Sequence, residues 1–177
     1  MKGLKKLRKL TVIARSKDFH TGNDLSALQD LGEKGVLQNL TIVWGPAESN
    51  KAPKSEAKIL EETKSAGTVP IIEIETLPRQ LKKLDLQCFP KSTATWLAPE
   101  YLPNLEQLYI RGGNLVTLGE SKWSKVKTLR LKYLNELKTT WIKLQESSPD
   151  LEYLEKVKCP EITLCPCDKH GVWIKTI

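Results

Sequence analysis

A chain of 177 residues, 40% apolar and 28% charged, has the size and composition of about one globular domain that buries a core without help from disulfides, which excludes disordered, collagenous and coiled-coil classes. It contains no apolar run of the length a membrane-spanning helix needs, and its basic start lacks the apolar stretch of a secretory signal, so a chain kept in the reducing cytoplasm is expected. The net charge of +7 comes from 23 lysines and only 5 arginines against 21 acidic residues, the pattern of a solvated surface rather than of a nucleic-acid footprint.

Leucine accounts for 27 residues, against 2 phenylalanines and 1 methionine, so the core asks for one side chain repeatedly and a stacked repeat is the first reading to test. In chain order, an apolar-x-apolar pair preceded three residues earlier by another apolar residue occurs at Leu7/Leu10/Val12, Leu37/Leu40/Ile42, Leu81/Leu84/Leu86, Leu105/Leu108/Ile110 and Val126/Leu129/Leu131. A sixth unit, Leu151/Leu154/Lys156, breaks the rule at its last position. Leu4, Leu102 and Trp123 extend three of the units backwards. Residues two apart on a strand face one side, so each unit predicts a short strand with these positions inward.

The anchors at 10, 40, 84, 108, 129 and 154 are separated by 30, 44, 24, 21 and 25 residues. The last three intervals fit the leucine-rich-repeat period of about 20–29 residues. The first is lengthened by a predicted helix, opened by Asn23 or Asp24, carrying Leu25, Leu28 and Leu31 and ended by Gly35. The second holds residues 46–68, rich in Lys, Glu, Ser, Ala and Pro, expected as an exposed loop insertion, with Val69–Ile74 as a candidate degenerate repeat. The expected fold is an α/β leucine-rich-repeat solenoid over 1–177, a horseshoe with a parallel concave sheet and irregular loops or short helices on the convex side. Nothing ahead of Leu4 covers Leu7 and Leu10, whereas Ile162, Leu164, Val172, Trp173 and Ile174 follow the last unit and can close it, so the chain reads as the C-terminal part of a longer solenoid.

The phrases Leu40–Gly45, Trp96–Leu105 and Ile110–Leu115, and the ending Cys159-Pro-Glu-Ile with Gly171–Thr176, resemble the C-terminal leucine-rich-repeat region of plant coiled-coil NLR disease-resistance proteins. The resemblance implies a module that recognises a protein partner, a pseudokinase or a pathogen effector, and that restrains the rest of the receptor. Such receptors carry a nucleotide-binding domain, but no Gly-x-x-x-x-Gly-Lys-Ser/Thr loop occurs in this chain, so no nucleotide or other cofactor is expected on it.

Chemistry beyond recognition has little support. Cys159, Cys165, Cys167 and His170 do not follow the spacing of common zinc sites, and Cys159 beside a proline reads better as a small buried side chain. With two histidines, His20 and His170, and neither His-Glu-x-x-His nor Gly-x-Ser-x-Gly, no catalytic constellation is visible and the chain is expected not to be an enzyme. The glycosylation sequon at Asn39 falls on a predicted strand and is set aside as a coincidence.

The register also names the outward residues, among them Lys83, Asp85, Gln87, Gln107, Thr128 and Glu155. Two of the five arginines and two of the four tyrosines fall in this set, and both types are enriched in binding hot spots. Tyr109, Arg111, Arg130, Lys132 and Tyr153 are therefore the predicted partner-binding cluster, suited to an acidic or phosphorylated partner surface. Two other functions remain open: a substrate-recognition subunit of a ubiquitin ligase, which would favour a helical adaptor-binding segment ahead of the repeats, and a basic nucleic-acid-binding module, disfavoured by scarce arginine and the lack of an evident aromatic stacking platform.

Overall fold

The structure, a computed structural model, describes residues 7–15, 28, 37–45 and 77–176. The expected helix from Asn23 or Asp24 to Gly35 (apart from Leu28, which is buried), the 46–68 insertion, the Val69–Ile74 repeat and Leu4 lie outside these residues.

Among the described residues, seven strands form one sheet in chain order: β1 (Lys9–Ala14), β2 (Asn39–Trp44), β3 (Lys83–Phe89), β4 (Gln107–Gly113), β5 (Thr128–Lys132), β6 (Tyr153–Val157) and β7 (Val172–Ile174). Pairing is parallel from β1 to β6 and antiparallel between β6 and β7. A short helix, α1 (Trp141–Ser147), precedes β6; the Thr140 hydroxyl accepts from the Lys143 amide at its start, and Trp141 and Leu144 are buried. The fold is thus α/β with a mostly parallel sheet and few helices.

The six anchors are direct partners across the sheet, Leu10 to Leu40 to Leu84 to Leu108 to Leu129 to Leu154. The next inward row, Val12, Ile42, Leu86, Ile110, Leu131 and Lys156, is aligned in the same way. From β2 onward the anchors are buried, as are Leu37, Leu81, Leu105, Val126 and Leu151 three residues before them, whereas Leu7, Leu10 and Val12 are only partly covered. The sheet therefore buries one face against the loop layer, while its other face carries half-exposed or exposed side chains. β2 pairs directly with β3.

A second alignment escapes the spacing rule. Cys88, Gly112, Tyr133 and Lys158, each one residue beyond the last aligned outward position of its strand, all have positive φ, at 59°, 65°, 58° and 51°. This left-handed residue reverses the alternation, so the following Phe89, Leu134 and Cys159 turn into the core. In β4 the following residue is Gly113, at φ 96°, where a Cβ would collide with the backbone of Phe89.

The C-terminal closure differs in part from the expectation. Ile162 is fully buried and Trp173 packs partly against the core, its ring centroid 4.7 Å from that of Trp141. Leu164 and Ile174, however, are 88% and 65% exposed. The reason for Ile174 is the pleat of β7: Trp173, opposite the inward Leu154, takes the core side, so its neighbours cannot. Lys156 occupies an inward position by donating from Nζ to the Ile162 carbonyl at 2.6 Å, which satisfies its charged end where the earlier units place leucine or isoleucine.

Candidate functional site

The outward rows assemble as the register predicts. Tyr109 sits opposite Arg130, which sits opposite Glu155; Arg111 sits opposite Lys132, which sits opposite Val157. Parallel pairing places these residues on three adjacent strands, β4 to β6, about 4.8 Å apart. The backbone thus gathers all five predicted residues on one face.

Their side chains divide into two groups. In the first, the Tyr109 ring has Lys83 Nζ 4.3 Å and the Arg130 guanidinium 4.7 Å from its centroid, and Arg130 also lies 5.6 Å from the Tyr153 ring. The Tyr109 hydroxyl donates to Gln107 at 3.2 Å. Glu155, its side chain only 18% exposed, ties the group to Lys132: Oε1 is 2.6 Å from Lys132 Nζ, and Oε2 is 3.3 Å from Arg130 Nε. The latter is ion-pair distance without hydrogen-bond alignment, for Arg130 Nε is buried and has no hydrogen-bond partner. Charge attraction and ring stacking together hold Arg130 in place, each cation–π contact contributing about 0.5–1 kcal/mol at exposed sites.

Arg111 stands outside that group, although the sequence places it in one cluster with Tyr109, Arg130 and Tyr153. Its guanidinium lies 5.7 Å from the ring centroid of Tyr133, and Lys158 Nζ lies 5.6 Å from the same centroid. Arg130 and Lys132 share Glu155, which lowers the positive charge of this part of the face. Lys83 and Glu155 stood among the outward residues, but no single-sequence signal ranks them above their neighbours. Tyr133 and Lys158 were missed because they lie beyond the alternating stretch, on left-handed residues that hydrophobic spacing does not register.

The cysteines fall where no zinc set forms. The Cys159 thiol is buried, donates toward the Leu131 carbonyl at 3.3 Å, and has its pKa pushed up by burial. Cys165 and Cys167 are joined as a disulfide, against the reduced state that a reducing compartment implies, and in this form neither offers a thiolate. Among the described residues no three His, Cys, Asp or Glu side chains converge on a metal-sized site, and no helix is long and apolar enough to cross a membrane.

No protein-family model matches the chain. Over 116 residues, 59% of the chain, it is 36% identical to disease resistance RPP13-like protein 4 of Arabidopsis thaliana. The chain covers 14% of that protein's length. The similarity relates this sequence to a plant disease-resistance protein.

Proposed function

We propose that this chain is a leucine-rich-repeat recognition module of a plant intracellular immune receptor, with no enzymatic activity of its own, working in the cytoplasm by binding a host partner or pathogen effector and restraining the receptor to which it belongs. Partner recognition here means surface complementarity on the outer face of the sheet. The observation that carries the reading is the Lys83–Tyr109–Arg130–Tyr153 stack, in which large, partly ordered side chains of hot-spot type stand on an open sheet face. Two further observations support it: the aligned anchors that a stacked repeat requires, and the similarity to a plant disease-resistance protein. Nucleic-acid binding is the weaker reading, because two cations already lie over the Tyr109 ring that a base would need.

Calorimetry against pseudokinase and effector candidates tests the proposal. Tyr109→Ala and Arg130→Ala are each expected to weaken binding by about 1–3 kcal/mol while lowering the thermal midpoint by only a few degrees, since each loses surface cation–π contacts but neither side chain fills the core. A partner that binds the Tyr109→Ala/Arg130→Ala double variant as tightly as the native chain would remove this face from recognition.

A further inference from the structure

We infer that Arg111, Tyr133 and Lys158 form a separate subsite for an acidic segment of a protein partner, running extended across the exits of β4, β5 and β6. The inference rests on the partner-binding reading of this face and specifies the chemistry of one end of it. Arg111 and Lys158 flank the 43%-exposed Tyr133 ring at 5.7 and 5.6 Å. Among the described residues neither cation has a carboxylate within ion-pair distance, whereas the adjacent Arg130 and Lys132 are both held by Glu155. One end of the face thus has its cations partly neutralised by a shared carboxylate, whereas the other keeps two cations that lie against the face of a phenol.

The spacing selects the ligand. Arg111 leaves β4 and Lys158 leaves β6, two strand intervals apart, or about 9–10 Å of backbone. An extended peptide advances about 3.3 Å per residue and turns every second side chain to the same face, so carboxylates two residues apart, about 6.6 Å along the backbone, face the sheet together and span the two cations with their side-chain reach, while the backbone between them passes over the Tyr133 ring. Bidentate pairing suits Arg111, while the compact ammonium of Lys158 tolerates a less defined approach, so Arg111 sets the geometry. Val157, on the outward side of β6 immediately before Lys158, adds a short apolar contact for the peptide stem.

The probe is a fluorescein-labelled Gly-Glu-Ser-Glu-Gly peptide, titrated by anisotropy at low ionic strength with the glutamine version as control. The native chain is expected to bind the glutamate peptide at least tenfold more tightly than the glutamine one, and Arg111→Glu/Lys158→Glu to abolish the difference. Lys122→Glu/Lys143→Glu makes the same charge change at the cleft beside α1 and is expected to alter affinity less than twofold. Equal loss in both charge-reversed variants, or equal affinity for the two peptides, overturns the subsite. Loss in Tyr109→Ala/Arg130→Ala with none in Arg111→Glu/Lys158→Glu also overturns it, yet leaves the wider face as a binding surface. Conversely, a selective loss in Arg111→Glu/Lys158→Glu supports the subsite even where the calorimetric candidates fail.

Discussion

Single residues set the turns that repeat along this sheet, and Gly113 is the most constrained of them. Its φ of 96° and the Phe89 backbone packed where a Cβ would stand leave no room for adjustment, because the obstacle is main chain rather than a flexible side chain. Gly113→Ala is expected to lower stability by about 1–3 kcal/mol, read as a shift of the urea midpoint at unchanged slope. An unchanged midpoint would mean that the strand exit relaxes. The cysteines offer a second check at this scale. Cys88 is exposed, while Cys159 is buried with its thiol pKa raised by desolvation, so a disulfide reagent at neutral pH is expected to label Cys88 quickly and Cys159 only on unfolding. Fast labelling of both would contradict the core position of Cys159.

Strands with two neighbours and strands with one should respond differently to damage. Leu108 is the anchor of β4, fully enclosed between β3 and β5, and Leu108→Ala is expected to cost about 2–5 kcal/mol by opening a cavity, measured by denaturant melting. β7 depends on a turn instead. Asp168 accepts from the Val172 amide at 2.8 Å and the His170 amide at 2.9 Å, and the bond from Val172 is the main reason its pKa lies below the ordinary aspartate value. A depressed carboxylate stabilises the fold above its unfolded pKa, and that contribution is lost as pH falls through the folded value. The amide shifts of His170 and Val172 should therefore titrate together with a midpoint below 3.8, and Asp168→Ala should abolish the titration; a midpoint above 3.8 would remove this account of the turn. The strands themselves were legible in the sequence because alternation of apolar residues reports the pleat, and the anchors named from spacing are the observed partners. The antiparallel turn of β7 was not, since three residues carry too short a pattern to fix a direction. The same limit applies to the site: the rows of Tyr109, Arg130 and Tyr153 follow from register, but the choice of Tyr133 as the partner of Arg111 depends on a backbone reversal that leaves no periodic trace.

Across the whole sheet, protection against hydrogen exchange should follow the number of flanking strands. Amides of β4 and β5 are expected to exchange far more slowly than those of β1, which among the described residues pairs on one side and whose Leu10 and Val12 are partly covered; uniform protection would show a more cooperative unit. The residues just ahead of β3 to β6 add a constraint of another kind. Lys82, Glu106, Lys127 and Glu152 occupy equivalent places, each passing its backbone to the next strand. Lys82 pairs with Glu106 at 3.5 Å, and Lys127 with Glu152 at 2.8 Å. The hydrogen bond from Lys127 to Glu152 is the main cause of its raised pKa, with Glu106 adding attraction from the other side, so this contribution fades only as pH climbs through the lysine range. The units are therefore not interchangeable tiles. A chain shortened by the β4 unit alone would bring Lys82 against Lys127, whereas removal of the β4 and β5 units together would bring Lys82 against Glu152, so that sign matching tolerates the loss or duplication of units in pairs and resists it singly.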